Sequence, residues 1–147
     1  KNNKIHLIVL MKGENKILQE LSKNYKNLTI IKNVPYFENY KFYSSIDFLV
    51  NPVHYGNMTL PTIEAFTYSK PVIAFDISLW TKIIHLKNGI LVKPYDIKEF
   101  SNWVFELSNN KLLLNELSRN AYETSKSIKS FSEYIKEEFE FLKSICL

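Results

Sequence analysis

Apolar residues follow two different periods along this chain, and the change between them divides it. In the first two thirds, short apolar runs alternate with polar stretches. Lys4–Met11 (KIHLIVLM) is a continuous run of the kind expected from a strand buried on both faces, with His6 packed inside it. Lys12-Gly13-Glu14 breaks it. Asn15–Asn24 is polar and helix-prone, with Ile17, Leu18 and Leu21 on one face. Leu28–Ile31 reads as a second strand and Val34-Pro35-Tyr36 as a loop, because Pro35 pushes its neighbour toward extended geometry. Phe37–Ser45 predicts a short helix with Tyr40, Phe42 and Tyr43 available to pack.

Ile46–Val50 predicts the third strand, Pro71–Phe75 the fourth and Gly89–Val92 the fifth, with helix-like Leu79–Leu86 between the last two. From Asp96 the period becomes 3.6. Phe100, Val104 and Leu107 mark one helix, and Leu113, Leu114, Leu117 and Tyr122 another. Phe131, Tyr134, Ile135, Phe139 and Leu142 mark a long final helix, read as core, that opens on a Ser130/Glu133 capping box. Strands alternating with helices imply right-handed crossovers and an α/β domain: a Rossmann-like parallel sheet with helices on both faces.

The stretch Asn51–Ala65 carries the candidate chemistry. A strand there runs into a loop holding His54, Gly56 and Asn57, and a helix opens at Leu60-Pro61 with Glu64 in its first turns. Open parallel sheets bind ligands at that end of the strand. A helix N-terminus offers unpaired N–H groups and partial positive charge, which suits a phosphate or diphosphate. Glu64 would repel a phosphate; it fits adjacent hydroxyls such as a ribose diol, or else merely complements the helix dipole.

Composition narrows the classes. At 147 residues and 46% hydrophobic, the chain is one ordinary globular domain. Its net charge of +4 comes from scattered Lys, with Arg119 the one arginine, which argues against a nucleic-acid partner. A lone Cys146 excludes an internal disulfide and fits a reducing compartment. No apolar run reaches membrane-spanning length. His6, His54 and His85 have no metal-like spacing, so no metal is expected. Ser44, Ser45 and Ser69 lack a nucleophile-elbow context. Asp76, at a strand end near the cleft, is expected to cap the following helix. The chain opens on Lys1 rather than Met, just before a strand, and is expected to be a fragment.

The ordered motifs resemble the C-terminal half of a retaining GT-B glycosyltransferase of family four (glycosyl transferases group 1). That family carries a run like P-S-x-x-E-G-F-G-L-P-x-L-E-A-x-A-x-G-x-P-V-I. Here Asn51-Pro52-Val53, Gly56 through Ala65, and Lys70-Pro71-Val72-Ile73 fall in the same order. Ser45–Val50 resembles A-D-x-x-V, Asn88–Val92 resembles N-G-x-L-V, and Phe131-Ser132 resembles the F-S before the last helix. The resemblance runs from about Lys4 to that helix.

It implies one donor-binding domain over residues 1–147, lacking an N-terminal acceptor domain, and no cofactor beyond a nucleotide-diphosphate sugar as substrate. Glu64 would hold the donor's ribose; Gly56, Asn57, Met58, Thr59 and Leu60 would face its sugar and diphosphate. Val34 and Tyr36 would lie by the base, and Lys12 and Gly13 by the phosphates. The acceptor would be a glycan or a lipid-linked sugar in bacterial surface polysaccharide synthesis. The setting would be the cytoplasm or the inner face of its membrane.

Departures from the family raise alternatives. Gly56 stands where the family has a first glutamate, leaving His54 or Asn57 to meet sugar hydroxyls. Ser69 replaces a helix-ending Gly, and Ile77-Ser78 replaces a Gly-Gly pair. The catalytic residues stay unassigned. A nucleotide-sugar epimerase or hydrolase, or a non-catalytic binding or scaffold module, are the alternative readings.

Overall fold

The structure, a computed structural model, describes residues 5–54, 60–77 and 82–146. Five parallel strands alternate with helices in chain order: β1 Leu7–Met11, α1 Lys16–Asn24, β2 Leu28–Lys32, α2 Asn39–Ser45, β3 Leu49–Asn51 and α3 Leu60–Thr67. Then come β4 Val72–Phe75, β5 Gly89–Val92, α4 Ile97–Asn109, α5 Lys111–Lys126 and α6 Phe131–Cys146. The α/β architecture expected from the alternation is present.

The core is built around β4. Its side chains alternate between two faces, and each face has its own cover. Val72 and Ala74 pack with Tyr43 of α2, Ala65 and Phe66 of α3, and Ala121 of α5. Ile73 and Phe75 pack with Ile90 and Val92 of β5, Phe100 and Leu107 of α4, and Leu117 of α5. Helices therefore lie on both faces, with α5 contributing to both clusters. Asn88, fully buried, joins the chain before β5 to α5: its amide donates to the Lys82 carbonyl and Thr124 Oγ1, and its oxygen accepts from the Ile84 N–H.

Helix ends obey their local chemistry. Asn15, Asp96 and Asn110 cap α1, α4 and α5, each accepting from a backbone N–H three residues on. Ser130 and Glu133 form the expected reciprocal box before α6, at 2.6 and 3.3 Å. After α3, Ser69 takes φ +59° and the Lys70 N–H reaches back to the Ala65 carbonyl at 2.8 Å. This is the left-handed turn a glycine would favour, held here by a serine.

Four expectations are corrected. The sheet is not one ladder: β1–β2 and β3–β4–β5 form two separate parallel sheets. β1 is not buried on both faces; Leu7 is 46% exposed, and His6 is an exposed residue bonded to Thr29 Oγ1 at 2.8 Å rather than core. An apolar run records what a strand could bury, whereas its burial depends on neighbours. The proposed helix Leu79–Leu86 lies partly outside the described residues; Lys82–Ile84 have no regular structure and His85 makes an isolated bridge to Gly89.

The long last helix exists but is not core. Every described side chain on it is exposed, including Tyr134, Ile135, Phe139 and Leu142; the Phe131 side chain lies outside the described residues. Its stripe has the spacing of a packed face, but among the described residues no other element covers it. A smaller adjustment is that Tyr36–Glu38 form a short 3-10 turn within the predicted loop and helix start.

Candidate nucleotide-sugar site

Two cavities lie between β1 and β3. A smaller one, about 410 Å³, sits by Ile5–Ile8 and Asp47–Val50, toward the amino ends of both strands. The larger, about 880 Å³, opens at Met11-Lys12 and Asn51-Pro52, their carboxyl ends. The two strands thus run parallel across the gap. A volume of this order suits a drug-sized or nucleotide-sized ligand.

The wall of the larger cavity is assembled by loops that bind one another. Asn33, after β2, adopts φ +53° and accepts the Gly13 N–H on its side-chain oxygen at 3.1 Å. Gly13, itself at φ +76°, turns the chain after β1 so that Lys12 lines the cavity beside Val34. On the opposite wall, the Asn51 amide donates to Thr62 Oγ1 at 3.2 Å, tying the end of β3 to the first turn of α3. That tie sets the entry of α3, whose Leu60, Pro61 and Glu64 all line the same cavity.

Glu64 shares this cavity with two phenols. Tyr36, from the 3-10 turn, and Tyr43, from α2, line the same cavity as its carboxylate. The Tyr36 phenol is raised above its ordinary pKa chiefly by the nearby Glu64 carboxylate. The Tyr43 phenol is raised further, first by burial and then by the same carboxylate.

Of the residues named from sequence, Lys12, Val34, Tyr36, Leu60 and Glu64 meet at this cavity, with Gly13 shaping its rim. Gly56, Asn57, Met58 and Thr59 lie outside the described residues. His54 is not among the residues lining the cavity. Its ring is sandwiched between Phe75, centroids 4.8 Å apart, and Tyr95, 4.5 Å, both nearly parallel to it. Both ring faces are therefore covered, and only the edge nitrogens can meet a ligand. Asp76 continues the strand ladder, its N–H bonding Val92 O at 2.7 Å. Among the described residues no cluster of His, Cys, Asp and Glu could hold a metal.

Sequence reasoning missed three participants. Tyr43 was read only as a packing residue, yet it also lines the cavity. Asn33 carried a signal in the tolerance of Asn for left-handed turns. Tyr95 carried none, because a ring partner for His54 arises only when the ends of β3 and β5 come together.

Residues 1–124 match the family model described as Glycosyl transferases group 1. The chain belongs to that family. This group 1 domain is 27% identical over 118 residues to the poly(ribitol-phosphate) alpha-N-acetylglucosaminyltransferase of Staphylococcus aureus (strain COL), covering 76% of this chain and 24% of that protein. It superposes on TarM of S. aureus with a TM-score of 0.80 at 22% identity, over 95% of this chain and 29% of TarM. It superposes on HepE of Anabaena, solved with UDP-glucose, with a TM-score of 0.82 at 15% identity, over 97% of this chain and 42% of that one. These likenesses place the fold among GT-B glycosyltransferases. The group 1 domain spans about a quarter of the length of the curated relative it matches. Among the described residues, none of its helices is long and apolar enough to cross a membrane.

Proposed function

We propose that these residues form the nucleotide-sugar-binding half of a glycosyltransferase, which moves a sugar with retention from a nucleoside-diphosphate sugar to a glycan or lipid-linked acceptor. The observation that carries this reading is the pairing of Glu64 with Lys12 in one cavity at the carboxyl ends of β1 and β3. A carboxylate accepts from the two adjacent hydroxyls of a ribose; an ammonium meets the diphosphate; Val34 and Tyr36 supply apolar surface for a base. Positive charge and helix N-termini beside a departing diphosphate stabilise it as its charge develops, and no covalent step on the protein is required. The N-terminal acceptor domain and a role in bacterial surface polysaccharide synthesis belong to the same proposal. The curated relative transfers N-acetylglucosamine and HepE was solved with UDP-glucose, so UDP-sugars are the first donors to try.

Titration of UDP-, GDP- and ADP-sugars, followed by amide NMR, tests the reading. Shifts should concentrate at Lys12, Val34, Tyr36 and Glu64 for one base. Glu64→Ala should weaken that donor about tenfold, the scale of hydrogen bonds to a charged group. Unchanged affinity removes Glu64 from the site. Donor breakdown without acceptor would favour a hydrolase, and silence toward every nucleotide a scaffold module.

A further inference from the structure

The two sheets face each other across unpaired edges. Among the described residues β1 pairs only with β2, and β3 only with β4. Leu7, Ile8, Leu49 and Val50 line both cavities between β1 and β3, so the opening follows the two strands along their length. The backbone shows what faces it. The Leu7 N–H bonds the Asn27 carbonyl and the Asn33 N–H bonds the Met11 carbonyl, each at 2.9 Å, so Leu7, Val9 and Met11 address β2. The Leu49 N–H bonds the Pro71 carbonyl at 3.0 Å, on the β4 side. Successive residues of a strand turn their N–H and C=O groups to opposite edges. Ile8, Leu10 and Val50 therefore present theirs to the gap.

A row of unpaired backbone groups is a template for another strand, and edges that meet solvent are ordinarily blunted by charge or proline. LIVLM and LVN carry neither. An interposed strand also turns alternate residues to each side, so one strand can satisfy both rows at once. We propose that the gap between β1 and β3 receives a parallel β-strand from the segment of the same polypeptide that precedes Lys1, joining the two sheets into one. Strand order names the segment. β1 and β2 run outward on one side of the gap, and β3, β4 and β5 on the other. In a doubly wound sheet the first strand lies at the centre of that order. A parallel connection needs a crossover of about a dozen residues, so residues 1–6 are too few to supply strand and crossover together. The strand is an apolar run of about five residues, matching β1, followed by a helical crossover to it. It fills the space between Ile8 and Val50 and leaves Lys12, Tyr36 and Glu64 at the open carboxyl end. It therefore stands whatever ligand the site takes.

The test uses the whole natural polypeptide that contains these residues, followed by amide hydrogen exchange and by NMR contacts from the gap-facing amides. The Ile8, Leu10 and Val50 amides should exchange as slowly as those of Leu7 and Val9, and should show contacts to an extended segment ahead of Lys1. In the 147-residue chain alone the same three amides should exchange at least about a hundredfold faster, at every protein concentration. Fast exchange of these amides in the whole polypeptide overturns the proposal. So does contact between Ile8 or Leu10 and Val50 themselves, which would mean that β1 and β3 pair directly. Protection that appears in the 147-residue chain only as its concentration rises would assign the gap to a second copy instead. A polypeptide that begins within about a dozen residues of Lys1 also overturns it, because no crossover could then be made.

Discussion

β1 and β4 have similar sequences and opposite fates. LIVLM in β1 is as apolar as VIAF in β4, yet all four residues of β4 are buried while none of β1 is. β4 has a strand on each side and helices on both faces. Among the described residues β1 has only β2 beside it, and α1, which packs on β2, has no buried residue of its own. Burial is thus set by neighbours, and the less buried sheet supplies one wall of the cavity while the buried sheet supplies the other. A firmly packed frame holds Glu64 and Tyr43; a lighter wall carries Lys12 and Val34.

The largest test of this contrast is a pair of truncations. Phe66→Ala, in the fully buried cluster under β4, should destabilise the protein by about 3–5 kcal/mol. Leu7→Ala, in half-exposed β1, should cost about 1 kcal/mol. Equal losses in denaturant melts would erase the distinction between the two sheets.

A pair of glycines sharpens it. A Cβ on Gly89 would stand 2.6 Å from the Val72 carbonyl oxygen and 2.9 Å from Ile83 Cγ2. The backbone of β4 cannot yield cheaply, so Gly89→Ala should cost about 1–3 kcal/mol. A Cβ on Gly13 meets nothing within 4 Å, and only its φ of +76° resists, for about 1–2 kcal/mol. Thermal midpoints should therefore fall further for Gly89→Ala.

The smallest effect concerns α6, which no described element covers and which begins on its capping box. Bonds from the Ser130 hydroxyl and N–H lower the Glu133 pKa below its ordinary 4.5. A depressed folded value means the contribution is complete above the ordinary carboxylate range and is lost as pH falls through the lower one. The Glu133 carboxyl, followed by carbon NMR, should titrate below a free glutamate, and the first turn of α6 should fray in step. Titration at the ordinary value would mean the box does not hold in solution.

These contrasts mark what could be read in advance. The order of strands and helices, the Ser130/Glu133 box and the left-handed turn at Ser69 follow from local rules: apolar period, capping chemistry and turn geometry act over a few residues. So did the grouping of Lys12, Val34, Tyr36 and Glu64, because chain order and motif resemblance already put them at strand ends. Contacts between distant segments were not legible. The meeting of Tyr43 and Glu64 at one cavity and the sandwich of His54 between Phe75 and Tyr95 depend on how α2, α3 and the strand ends approach in space. The exposure of β1 and of α6 is of the same kind. A stripe of apolar residues states that a face can be buried, through the free energy of removing it from water. Whether anything lies against it is decided by packing, and only the tertiary structure specifies that.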